Sequence, residues 1–393
     1  MRIVPSSSPS PSPKRRSNTP SAAVTRSLPK RVALVLGGGG LKGFAHIGVL
    51  RALDERGIDP VSYAGTSIGA LIAAARVGGV TLDEMTDRAL LLRKRDLFRI
   101  NHLGMLLERM RSPSLYLEGP LRDLVTGAVP SGTFRELPRK LLVNTVDVER
   151  GTRMVWGLPG LEDVSVCDAV YASCALPGFF PPGDVGGRSC IDGGTIDNLP
   201  TDIASLGAEA VVAVDVGSAD LGRVPDITSH GFAAIYMRAA TIMMHSLQNS
   251  ALSDYKGPPM LLVRPRVGQR DWFSFAHAGE MIDAGYAAAA SALDQVGDLL
   301  LSPGGIYPHR MVSIDVNRKR CIGCGICVAL APRVMAMDSN KKAYAHASPL
   351  LWSPADGEFV QQCPTEAITV KSMDGTLRTT KPMSEPTLDA ADD

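Results

Sequence analysis

From Arg31 onward, short apolar runs alternate with stretches of helical spacing. Val32–Leu36 is apolar throughout and ends in glycines, which predicts a strand buried on both faces. Helical spacing follows over about Leu41 to Arg56, and Val61–Ala64 predicts a second short strand. That strand runs through Gly65 into a helix over Ile68–Arg76. Lys140–Val146, Thr152–Trp156 and Ala210–Val216 predict further strands, with helices between and after them. Such alternation predicts an α/β sheet covered on both sides. Phe232 to Leu252 is the longest apolar stretch, but Arg238 and His245 break it. It predicts an amphipathic helix with Met243-Met244 in its packing, and no run reaches the roughly 18 residues of a membrane span.

Ser302-Pro-Gly-Gly305, prolonged by Tyr307-Pro308, interrupts the alternation and marks a boundary. The expected order is a disordered basic Ser/Pro-rich tail (1–28), an α/β domain (29–302) and a linker (303–310). A small domain (311–373) and a disordered acidic tail (374–393) follow. A chain of 393 residues suits two domains, and one as short as the second commonly needs a metal or disulfides. A hydrophobic fraction of 45% with 21% charged residues is that of a globular protein. Net charge is +1, so nucleic acid is not an expected partner. Residues 1–31 carry seven basic residues and no acidic one, which suits anionic headgroups or any other acidic surface. The same stretch lacks the apolar core of a secretory signal. Four of the seven cysteines cluster near the C-terminus, and Cys167, Cys174 and Cys190 are left as an odd number. That argues for a reducing compartment, with the cytoplasm as the expected location and peripheral contact at the inner membrane face as a further reading.

Two glycine motifs carry the candidate chemistry. Gly37-Gly-Gly-Gly-Leu-Lys-Gly43 lies between a buried strand and a helix, where bare amides let a ligand approach. Taken alone it suits a dinucleotide phosphate or an oxyanion equally, though no acidic residue stands where a ribose would need one. Gly65-Thr-Ser67-Ile-Gly69 is a Gly-x-Ser-x-Gly elbow at a strand-to-helix turn, which would expose Ser67 at a helix N-terminus. Asp192-Gly-Gly194 follows the short strand end Ser189–Ile191, and on residues alone a turn aspartate and a base stand level. His245 and His277 fit the chain order of a Ser–Asp–His triad, Asp215 is the next candidate base, and His46 reads as structural.

Together the glycine run, the elbow and the Asp-Gly-Gly triplet resemble those of the patatin-like phospholipases over about residues 29–300. Ala172–Pro181, Asp197-Asn-Leu-Pro200 and Val211–Val216 extend the likeness, while a fourth glycine in the loop departs from it. The resemblance implies a three-layer α/β/α sheet domain and a Ser67–Asp192 dyad without histidine. It also implies an oxyanion hole of Gly38, Gly39 and Gly40, with Gly65 and Gly69 shaping the elbow. Implied substrates are phospholipids, lysophospholipids or other acyl esters. An unperturbed aspartate is a weak base at neutral pH, so burial must raise its pKa or transfer must be late. Leu90–Phe98 mixes apolar bulk with cations, as an interfacial or a solvated helix would.

Cys321-Ile-Gly-Cys324-Gly-Ile-Cys327 has the spacing that wraps three thiolates around an iron–sulfur cube. The partner Cys-Pro survives as Cys363-Pro364, whereas the three positions that would serve a second cluster are Ser353, Asp356 and Phe359. The segment resembles single-cluster ferredoxins of α+β fold, which implies one [4Fe–4S] cluster on Cys321, Cys324, Cys327 and Cys363. One tetrahedral zinc is the competing occupant. The cluster's role is open among electron transfer, regulation and structure. Arg318-Lys-Arg320 suits a charged turn or an acidic redox partner. In an alternative reading the chain is an electron carrier and the hydrolase-like domain only a docking platform.

Overall fold

The computed structural model describes residues 31–101, 114–217, 224–267, 272–296 and 305–373, so both expected tails lie outside the described residues. The large sheet runs β5(Gly183–Val185)-β6(Arg188–Asp192)-β3(Lys140–Asp147)-β2(Ser62–Thr66)-β1(Val32–Leu36)-β7(Ala210–Val214)-β8(Met260–Val263)-β9(Ile306–Tyr307). β4(Thr152–Trp156) also pairs with β3. From β3 through β9 every neighbour on this path is parallel, and the β5, β6 and β4 pairings are antiparallel.

The helices are α1(Ala45–Glu55), α2(Ile68–Val77), α3(Leu82–Leu91), α4(Lys94–Leu97), α5(Glu118–Ala128) and α6(Val166–Cys174). They continue with α7(Thr201–Ala204), α8(Gly231–Ser253) and α9(Ala278–Val296). β1 shows why its sequence does not alternate. Leu34 and Leu36 face a core shared with α1, α2, α6 and α9, while Ala33 and Val35 face another with Ala204 of α7 and Leu252 of α8. A strand buried on both sides gains from apolar side chains at every position. The expected three layers are therefore present.

Two details differ from expectation. Ile306–Tyr307, in the stretch expected as a linker, joins the large sheet as β9, because β8 offers it a parallel edge. In α8 the packing expected of both methionines holds for Met244, which lies over Gly194, whereas Met243 is 59% exposed on the outer face. No helix among the described residues is long and apolar enough to cross a membrane.

The small domain pairs β10(Arg310–Val316) with β13(Leu350–Trp352) and β14(Ile368–Ser372), and β11(Met335–Met337) with β12(Ala343–Ala345). With α10(Ile326–Leu330) and α11(Glu358–Gln361) it encloses its own core of Val312, Ile314, Met335, Trp352 and Phe359. Polar contacts join it to the large domain. Ser353 Oγ donates to the Ile306 carbonyl at 3.0 Å, and Arg264 Nη1 donates to the Pro354 carbonyl at 2.6 Å. His245 Nε2 meets Gln361 Oε1 at 2.9 Å.

Candidate active site and cluster site

The glycine loop leaves β1 and is clamped from several sides. The Gly37 amide donates to the Val214 carbonyl (2.9 Å) and the Gly38 amide to the Asn198 carbonyl (3.2 Å). Asn198 Nδ2 in turn donates to the Gly38 carbonyl at 3.1 Å. The Leu41 amide donates to the Trp272 carbonyl at 2.9 Å. The amides of Gly39 and Gly40 donate to no described residue. His46 supports the loop from below, its Nε2 lying 2.8 Å from the Gly37 carbonyl. Full burial lowers its pKa to about 4, so at neutral pH it has one N–H, and that N–H donates to Gly37.

Ser67 stands at the turn from β2 into α2 with φ 55° and ψ −128°, a conformation rare for a residue with a side chain. Only glycine fits on either side. A methyl at Gly65 would lie 2.5 Å from the Ala70 nitrogen, and one at Gly69 would lie 2.0 Å from the Leu36 carbonyl oxygen. The Ser67 amide donates to Ser173 Oγ at 2.8 Å, and Ser173 Oγ donates to the Asn144 carbonyl at 2.7 Å. The loop lies beside this residue, since a methyl on Gly38 would come within 3.3 Å of Ser67 Cβ.

Asp192 closes β6 and is 3% exposed. Its Oδ1 accepts from the Gly194 amide at 2.7 Å. Burial pushes its pKa up to about 6, against the lowering effect of the Gly194 amide and of the nearby Ser67 hydroxyl. Cys174, at the end of α6, lies against the same two groups, and burial followed by the Asp192 charge drives its thiol well above the ordinary range. A thiol so held stays protonated.

The other candidates are occupied elsewhere. Asp215 accepts from Arg264 Nε at 3.0 Å, and Asp197 from Arg153 at 2.6 Å. His245 faces Gln361 of the small domain, and His277 pairs with Glu280 at 3.1 Å on the surface. Neither meets Ser67 or Asp192, so neither forms the triad considered from chain order. Sequence reasoning did not single out Ser173, Asn144 or Asn198. Asn198 sits inside the quoted Asp197-Asn-Leu-Pro200 stretch, the one signal that pointed toward it.

Cys321, Cys324, Cys327 and Cys363 line one pocket, floored by Val316, Met337 and Ile368. Among the described residues no three His, Cys, Asp or Glu side chains gather closely enough to hold a single metal ion. Four cysteine sulfurs around one pocket are the soft donor set that an iron–sulfur group takes. The Ala367 amide donates to Cys363 Sγ at 3.3 Å and the Ala343 amide to Cys321 Sγ at 3.5 Å, contacts that favour thiolates. Arg318 and Arg320 pair with Asp338 (2.5 Å) and Glu366 (3.2 Å) of the chain itself, as a charged turn would.

Residues 34–205 match the patatin-like phospholipase family, and residues 316–370 match the 4Fe-4S single cluster domain of ferredoxin I. An uncharacterized NTE family protein of Mycobacterium tuberculosis is 36% identical over 202 residues, 50% of this chain and 52% of that protein. Patatin-like phospholipase domain-containing protein 6 of Homo sapiens is 34% identical over 212 residues, 51% of this chain and 14% of that protein. The chain thus spans about half the length of the mycobacterial relative and a small part of the human one. Among solved structures, VipD from Legionella pneumophila is 18% identical with a TM-score of 0.36, covering 67% of this chain and 66% of that one. The chain therefore contains a patatin-like phospholipase domain over residues 34–205 and a single-cluster 4Fe-4S ferredoxin-type domain over residues 316–370.

Proposed function

We propose that this protein is a lipid acyl hydrolase with Ser67 as nucleophile and Asp192 as its base, the two domains meeting near residues 303–310. Ser67 Oγ attacks the ester carbonyl carbon while its proton passes to the Asp192 carboxylate. The amides of Gly39 and Gly40, the two in the loop without a described acceptor, receive the oxyanion. Of the three glycines expected to serve, Gly38 instead positions the loop through Asn198. Collapse of the intermediate expels the alkoxide, which takes the proton from Asp192. Water then attacks the acyl-serine, giving its proton to Asp192, and Ser67 recovers a proton as the fatty acid leaves.

The observation that carries this reading is Ser67, its backbone strained at the elbow, beside a buried carboxyl whose pKa is raised to about 6. A base of that strength is about nine-tenths ionised at pH 7 and still a far better proton acceptor than an ordinary carboxylate. The alternative of a pure electron carrier leaves this arrangement without a purpose.

The iron–sulfur group is read as one [4Fe–4S] cluster on Cys321, Cys324, Cys327 and Cys363. When bound, it would supply one-electron chemistry and a cross-link for a small core. Peripheral membrane contact is read onto α8, where Phe232, Ile235, Ile242, Met243 and Leu247 are exposed on the helix whose Met244 overlies Gly194. The expected location is the cytoplasm, and an external redox partner belongs to the same reading.

The test is an anaerobic panel of phospholipid, lysophospholipid and neutral acyl esters, run with wild type and Ser67→Ala. Fatty acid release is expected from wild type alone, together with fluorophosphonate labelling at Ser67. A cluster-loaded protein that cleaves no ester and takes no label at Ser67 refutes the proposal.

A further inference from the structure

The face of the small domain that would carry a second cluster in a two-cluster ferredoxin is turned toward the large domain. Ser353, at one lost cysteine position, holds the Ile306 carbonyl, and Asp356 Oδ2 braces the Ser353 amide at 2.7 Å. Phe359, at another, is buried 6.0 Å from Trp352 in the small-domain core. Between them Pro354 accepts from Arg264, which also holds Asp215, and Ala355 packs on the core around Leu252, Met260 and Ile306. Gln361, two residues before Cys363, reaches His245 of α8, which is 8% exposed. Three residues along α8, buried Gln248 accepts from Asn198 Nδ2 at 3.3 Å. Asn198 is the residue that clamps Gly38 by both its amide and its carbonyl, next to Gly39 and Gly40, whose amides donate to no described residue.

We propose that the small domain positions the glycine loop of the hydrolase, using residues 353–361 as its docking face and α8 as the connecting element. Gln361, His245, Gln248 and Asn198 are then positioning residues. A formed cluster holds Cys363, and so Gln361, in place, and its loss frees α8 and lets Gly38 shift. A displaced oxyanion loop weakens transition-state stabilisation while leaving ground-state ester binding intact. This inference rests on the proposed hydrolase reading for its kinetic consequence, but its structural part is readable without any turnover.

The experiment compares amide hydrogen exchange in cluster-loaded protein, protein stripped of its cluster by chelator and oxidant, and cluster-loaded Gln361→Ala. Residues 37–41 and 245–253 are expected to exchange faster after stripping and, with the brown cluster colour retained, in Gln361→Ala. On a short water-soluble ester, Gln361→Ala should lower kcat on the order of tenfold with KM unchanged. Should Gln361→Ala lose the cluster, His245→Ala, which alters no residue of the small domain, gives the same readout. Faster exchange confined to residues 310–373 after stripping, with 37–41 unchanged, overturns the proposal. Failure of the hydrolase reading is distinct, since it appears as no turnover and no Ser67 label in loaded wild type.

Discussion

Replacing Asp192 by Asn should stabilise the fold at neutral pH while removing hydrolysis. The carboxyl is 3% exposed, and its pKa rises from 3.8 to about 6 on folding, chiefly through burial. Because the folded state holds the proton more tightly than the unfolded one, stability falls as pH rises between those two values. Below the lower value both states are protonated and the penalty vanishes; above about 6 it is fully present. The shift corresponds to roughly 3 kcal/mol at pH 7, an upper bound for what a neutral isostere recovers. Asn keeps an oxygen to accept from the Gly194 amide, now 2.7 Å from Oδ1, so that contact need not be lost. The assay is urea unfolding of wild type and Asp192→Asn at pH 4 and pH 7, alongside the pH profile of kcat/KM for wild type. A gain at pH 7 that disappears at pH 4 is expected. The wild-type acid limb should fall to half near pH 6, and to about a tenth by pH 5. A destabilised variant at pH 7, or an acid limb near pH 4, refutes the claim that burial makes this carboxyl a base.

Gly40→Ala places a methyl 2.5 Å from the Trp272 carbonyl at a residue of φ +59°. Turnover should drop about 10²- to 10³-fold in single-turnover assays, as for a lost oxyanion donor, with the Ser67 label rate falling in parallel. Anaerobically purified protein should hold four irons and no zinc. Cys363→Ser should lose most of that iron by metal analysis, because the sulfur accepting from Ala367 and Thr365 is removed.

What the sequence determined by itself is what short stretches of chain decide. An all-apolar pentapeptide can only be satisfied between two covered faces, and β1 lies there. Gly65 and Gly69 are required by backbone contacts within a few residues and with the adjoining strand, so the elbow is legible as a motif. The spacing Cys321, Cys324, Cys327 likewise sets where three sulfurs can reach. What only the tertiary structure decided involves groups far apart along the chain. Asn198 meets Gly38 across 160 positions, and among the described residues the Gly39 and Gly40 amides find no acceptor, a distinction the glycine run alone left open. Asp215 and Asp192 both stand at the ends of buried strands, yet one pairs with Arg264 and the other lies near Ser67, so only the fold separates an ion pair from a candidate base. His245 kept the chain order of a triad and was turned toward Gln361 by the packing of the small domain. Hydrogen bonds select partners by distance in space, and residue order carries that distance only where the chain between them is short.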